Sequence, residues 1–134
     1  MSILFCAISY AQIQTKVMSG GTKEIETSET LYWSGAIEAK TGKNIDVNIG
    51  LVIETVNTSN FQADLELQAS ADGQNWETQT SSSDYTFTQS SGVNSTIEYI
   101  SDTSFPGKYV RLKVSATADA QTINLTPYIN SKVD

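Results

Sequence analysis

Residues 45–54 read Ile-Asp-Val-Asn-Ile-Gly-Leu-Val-Ile-Glu. Ile45, Val47, Ile49, Leu51 and Ile53 occupy every second position, with Asp46, Asn48, Gly50 and Glu54 between them. Side chains alternate across a strand, so one face of this segment is continuously aliphatic and the other mostly polar. That pattern is a sheet facing a core, and β-branched residues fit the pleated surface well. It recurs on both sides. Ala63, Leu65, Leu67, Ala69 and Ala71 alternate with Gln62, Asp64, Glu66, Gln68 and Ser70, and Val110, Leu112, Val114 and Ala116 alternate with Arg111, Lys113 and Ser115.

Working outward, Ile13, Thr15 and Val17 alternate with Gln12, Gln14 and Lys16. With the apolar run from Ile3 to Ile8, this predicts a long N-terminal strand or arm over residues 1–17. Leu31, Trp33, Ile37 and Ala39 mark a further strand. Thr22 to Thr30 is polar and fits a short strand, a turn of helix or a loop. Trp76 opens a short strand. The Ser/Thr/Gln-rich stretch Thr80 to Ser95 reads as a long loop with one short strand near Tyr85. Ile97, Tyr99 and Ile100 belong to another strand. The last strand carries Ile123, Leu125 and Ile129, and Pro127 within it predicts an edge position or a bulge. Gly20-Gly21, Thr41 to Asn44, Asn57 to Asn60 and Phe105-Pro106-Gly107 punctuate the pattern as turns.

No helical stripe and no internal repeat competes with this reading. Eight or nine strands spaced by roughly 8–12 residues predict an all-β fold, a two-sheet antiparallel sandwich of jelly-roll or Ig-like type. At 134 residues the chain fits one domain, residues 1–134, with one core.

Composition narrows the chemistry. The chain carries 15 acidic and 8 basic residues and no histidine, for a net charge of −7. The cations are scattered, so nucleic acid is not an expected partner, since phosphate recognition needs clustered Lys and Arg. The missing histidine removes Ser-His-Asp and Cys-His catalysis and His-ligated metal sites. Carboxylate catalysis stays chemically open, but Glu24, Glu26, Glu29, Asp46 and Glu54 read as solvated charges. No enzyme activity, cofactor or metal is expected. Cys6 is alone, so no internal disulfide forms, and its apolar surroundings make it a small buried hydrophobe.

The opening Met1 to Gln12 has no basic residue before its short apolar part and reads as a strand rather than a signal. No stretch approaches the ~20 apolar residues of a membrane span. Asn57, Asn94 and Asn124 head Asn-x-Ser/Thr triplets, as a chain rich in these residues produces by chance.

Two segments carry a resemblance. Ser70-x-Asp72-Gly73-x-x-Trp76 follows one strand, and Gly107-Lys108-Tyr109-Val110-Arg111 opens another. Together they resemble modules found in bacteriophage virion proteins and, at the level of fold, discoidin-like and carbohydrate-binding sandwiches, over about residues 45 to 130. Asp72-Gly73 supplies a tight hairpin turn, Asn75 bonds backbone locally, and Trp76 is expected to plug one end of the sandwich.

The leading expectation is therefore a non-enzymatic structural protein of a virion, as capsid decoration or tail-associated subunit, acting by protein–protein assembly at the virion surface. Its partners would be other virion proteins and copies of itself. Ile3, Leu4, Phe5 and Ile8 are the candidate assembly residues, because an apolar strand can add to a neighbour's sheet edge or dock on a neighbour. The same strand pairing at home is the alternative. The other functional expectation is a carbohydrate-binding or adhesive module, extracellular or at a cell surface, holding a host-surface glycan on Tyr32, Trp33, Trp76, Tyr85, Tyr109 or Tyr128. Asp72, Asn75, Trp76 and Asp84 form a candidate ligand or calcium turn.

Overall fold

A computed structural model describes residues 13–26, 28–37, 45–55, 59–89, 94–118 and 123–133. The described residues form nine strands and no helix. In chain order these are β1 (Ile13–Val17), β2 (Lys23–Ile25), β3 (Thr30–Ala36), β4 (Ile45–Thr55), β5 (Ser59–Ser70), β6 (Glu77–Gln89), β7 (Asn94–Asp102), β8 (Tyr109–Ala118) and β9 (Ile123–Val133). They make a two-layer antiparallel sandwich. One sheet has the order β1-β9-β4-β7 with β2 also paired to β9, and the other has the order β3-β8-β5-β6.

The order settles the choice between sandwich types. Counting eight strands from β2, one sheet holds the first, eighth, third and sixth and the other holds the second, seventh, fourth and fifth. That interleaving is a jelly roll. Only β5 and β6 are joined as a hairpin, and the turn between them carries Asp72-Gly73, as that dipeptide predicts.

The core follows from the alternation. Ile45, Val47, Ile49, Leu51 and Ile53 are all buried, facing Leu65, Leu67, Leu112 and Val114 of the other sheet within one cluster. Gly107 is needed at its position. A Cβ there would lie 3.0 Å from both Ser70 N and Ser70 O, so the hairpin backbone would have to give by a few tenths of an ångström. The close approach lets Lys108 N donate to Ser70 O at 3.1 Å, tying the start of β8 to the hairpin.

Four expectations change. The stretch expected as a loop, Thr80 to Ser95, is strand over most of its length. β6 runs to Gln89 along β5, with register shifts after Ala63 and Leu67, and β7 begins at Asn94. Thr suits strands, and register shifts let an irregular pattern follow a regular neighbour.

Pro127 lies inside the sheet rather than on an edge strand, opposite Leu51 of β4. Its carbonyl accepts from Met18 N at 3.0 Å, just past the end of β1. In a strand the N and C=O of one residue point to the same side. The missing N–H therefore faces the gap between the end of β1 and the start of β2, where no ladder acceptor is waiting.

The N-terminal strand, as far as it is described, pairs at home, with Ile13 to Val17 opposite Lys132 to Tyr128. Its apolar alternation does not all point inward, since Val17 is exposed opposite Tyr128. Ile3, Leu4, Phe5, Cys6 and Ile8 lie outside the described residues.

Trp76 does not plug the sandwich. It is half-buried on the outer surface, and the fully buried indole is Trp33.

Candidate functional site

The two outer faces of the sandwich are built differently. On the four-stranded sheet, the described outward charged side chains are paired with one another or with aromatic rings, while Tyr109 stays exposed. The Arg111 guanidinium lies 4.5 Å from the ring centroids of both Tyr32 and Trp76, sandwiched between them, and its Nε donates to Gln68 Oε1 at 2.7 Å. Each exposed cation–π contact contributes about 0.5–1 kcal/mol. One residue pair further along, Lys113 Nζ meets Glu66 Oε2 at 2.9 Å, and the Glu66 carboxylate holds the Lys113 ammonium above its ordinary pKa. Thr78 Oγ1 donates to Glu66 Oε1 at 3.2 Å. Trp76, read from sequence as a sugar platform or an end plug, is thus one half of a clamp on Arg111.

The hairpin turn is equally self-contained. Asp72 Oδ1 accepts from the backbone N–H of Gln74 and Asn75, both at 2.8 Å, and from Ser70 Oγ at 2.9 Å. Asp72 Oδ2 accepts from Asn75 Nδ2 at 2.7 Å. These donors, led by the Asn75 and Gln74 amides, hold the carboxyl well below the usual carboxylate range. Both oxygens are occupied by the turn itself, so Asp72 and Asn75 act as its cap. Gly73 takes φ 78°, which suits glycine, and Trp76 follows on the far side. Asp84 lies on β6, away from this turn in sequence, and its side chain is outside the described residues. Asp72 and Asn75 are engaged with each other in the turn, and Asp84 as a fourth member of a calcium turn falls on an undescribed side chain. Among the described residues, no three of Cys, Asp and Glu are grouped as a metal would need.

A pH test follows from the turn. A lowered folded pKa adds stability that is present above the unfolded value, near 3.8, and is lost as the pH falls through the folded value. Asp72→Asn is therefore expected to melt at a lower temperature than the parent at pH 7. The gap in Tm is expected to shrink as the pH is taken from 5 towards 2. A gap constant over that range would remove the charge from the explanation.

The outer face of the five-stranded sheet is different. Pairing places three rows across β7, β4 and β9: Ser101–Asn48–Asn130, Tyr99–Gly50–Tyr128 and Ile97–Val52–Thr126. Val17 of β1 extends the middle row beyond Tyr128. Tyr99 is 58% exposed, Ile97 48%, Val17 43% and Tyr128 39%, so the centre of this face is apolar and bare. Gly50 shapes it. A Cβ there would sit 3.0 Å from Tyr99 Cε1, so glycine lets the Tyr99 ring lie down over β4. The two tyrosines flank a shallow depression of about 320 Å³ lined also by Val52, Ile97 and Asn130. No charged side chain stands in the three rows. Asp46 and Lys132 are paired at one end and Glu54 lies beyond the other. Asn48 Oδ1 is buried there without a hydrogen-bond partner among the described residues.

Of these residues the sequence reading had singled out only Tyr128. Two signals were available. Tyr99 and Ile100 are adjacent in one strand, so one of them has to face out, and the polar face of β4 is interrupted by Gly50 and Val52 between Asn48 and Glu54. Of the other aromatics named from sequence, Tyr32 and Tyr109 stand on the opposite sheet, Trp33 is buried, and the side chain of Tyr85, on β6, lies outside the described residues.

No family model and no curated protein matches the chain. Among solved structures, it is similar to the crystal structure of dimeric latent PorU from Porphyromonas gingivalis, with a TM-score of 0.57 at 10% sequence identity. The match covers 93% of this chain and 13% of that one. At this identity the likeness concerns the fold alone, and it agrees with an all-β domain. No described helix is long and apolar enough to cross a membrane.

Proposed function

We propose that this chain is a non-enzymatic structural module that works by protein–protein assembly, as a capsid-decorating or tail-associated subunit of a bacteriophage virion. The observation that carries the assembly reading is the contrast between the two faces. Among its described side chains, the four-stranded sheet pairs its outward charged groups with one another and with Tyr32 and Trp76. The five-stranded sheet leaves an uncharged row of tyrosine and aliphatic side chains open on a molecule of net charge −7. Tyrosine enrichment and charge depletion are the composition of an interface core. The virion setting is supported by the sequence resemblance and by the jelly-roll order, an architecture recurrent in capsid proteins. Mass spectrometry of density-banded particles from the culture carrying the gene is expected to find the chain at a fixed ratio to the other particle proteins. Recovery of the chain only from the soluble, particle-free fraction would overturn the virion reading.

One observation favours a second reading, a carbohydrate-binding module. Tyr99 and Tyr128 flank a depression edged by Asn130, and sugar rings present an apolar face to aromatics and hydroxyls to amides. Retention on a glycan array that Tyr128→Ala abolishes would establish it.

A further inference from the structure

We propose that the outer face of the five-stranded sheet is a self-interface, occupied by the same face of a second copy of this chain related by a twofold axis. The inference rests on the assembly reading and names the partner. Three observations favour a copy.

The first is area. Four strand lanes ~4.8 Å apart and about nine residues at ~3.3 Å give a flat footprint of about 570 Å². A standard stable interface buries about 800 Å² of accessible surface per partner, and accessible area exceeds flat footprint on a face with projecting tyrosines. Only the whole face with its charged ends, rather than one pocket in it, approaches that requirement.

The second is charge. Like copies of a −7 chain repel each other at long range, so a self-contact has to exclude charge from its centre. The three rows do so. The charged residues are displaced to the ends of β4 and β9, with Asp46 and Lys132 at one and Glu54 at the other. A twofold axis through the Gly50 row sets the Glu54 end of one copy over the end of its partner that carries both Asp46 and Lys132, so charges of both signs meet only at the rim of the contact.

The third is shape. An isologous contact must fit itself, so each face needs both a projection and a recess. Ile97, exposed on one flank of the face, offers a projection, and the depression between the flattened Tyr99 ring and Tyr128 is the recess.

Sedimentation equilibrium on the purified chain tests this. The parent is expected to be a dimer at a chain concentration of about 100 µM. Ile97→Asp and Tyr99→Asp place charge in a face whose positions are already solvent-exposed, so folding is retained, as circular dichroism checks. Each is expected to weaken dimerisation at least about thirty-fold. Tyr32→Asp, on the opposite sheet, is expected to leave it unchanged. A parent monomeric at that concentration overturns the inference, as does a dimer indifferent to both face variants. A chain that is monomeric alone but present in particles would sink the self-interface and leave the assembly reading standing. A dimer absent from particles would do the reverse.

Discussion

Trp33→Ala is expected to lower the unfolding free energy by about 3–5 kcal/mol, the largest loss from truncating any side chain among the described residues. Among the described residues, Trp33 is the largest fully buried side chain, at 1% exposure. It sits on β3 opposite Leu112, and its indole Nε1 donates to Gly21 O at 2.8 Å in the turn that leads into β2. Lys23 Nζ lies 5.1 Å above the ring and donates to Tyr32 O at 2.7 Å. One side chain thus joins the β1–β2 connection of one sheet to β3 of the other. Removing it opens a cavity and leaves the Gly21 carbonyl without its indole donor. Single domains are stable by about 5–15 kcal/mol, so the variant stands near the edge of folding. Trp33→Phe keeps most of the apolar volume and loses the hydrogen bond, and a smaller loss of about 1–3 kcal/mol is expected. Urea unfolding of the three proteins by circular dichroism measures both. A Trp33→Ala midpoint equal to that of the parent would mean that the indole is not in the core.

Leu112→Ala is expected to cost about 2–5 kcal/mol. Leu112 is fully buried on β8, between Trp33 of β3 and Leu67 of β5. Strands flank it on both sides, so collapse around the lost methyls is restricted. Ile97→Ala, an equally aliphatic change at a 48%-exposed position, is expected to stay within about 0.5 kcal/mol in the monomer. Because Trp33 and Leu112 are cross-strand partners, their double variant is expected to lose less than the sum of the single losses, as for residues sharing one cavity. Equal destabilisation by Leu112→Ala and Ile97→Ala would contradict the assignment of faces on which the assembly reading depends.

How much of this was legible before the structure depended on the range of the interaction. The strands β4, β5 and β8 were readable because burial alternates locally and leaves its mark at every second residue. The Asp72-Gly73 hairpin was readable because a tight turn has local demands. The jelly-roll order was not, because β9 finds β4, and β8 finds β3, through pairings distant in sequence that no local pattern records. Pro127 misled for the same reason. It breaks the rule for interior strands only until one sees that β1 and β2 share a flank of β9 and leave a gap opposite it. Thr80 to Ser95 has the polar composition of a loop, but β5 supplies an edge on which a Thr-rich segment can pair. At the candidate site, Trp76 drew attention as an aromatic beside a turn, whereas its role is set by Arg111, which lies 35 positions away. The exposed tyrosine face was hidden because Tyr99, Gly50 and Tyr128 become neighbours only when three strands align. The candidate assembly residues Ile3, Leu4, Phe5 and Ile8 lie outside the described residues and remain a proposal from sequence.

The central claim is that the chain makes its contacts through the outer face of the five-stranded sheet. Its most direct test is a dilution series of the purified chain followed by aromatic and methyl NMR. Resonances of Tyr99, Tyr128 and Ile97 are expected to shift or broaden as concentration rises, while those of Tyr32 and Trp76 stay fixed. Concentration-independent spectra for the first group, or shifts confined to Tyr32 and Trp76, would contradict it.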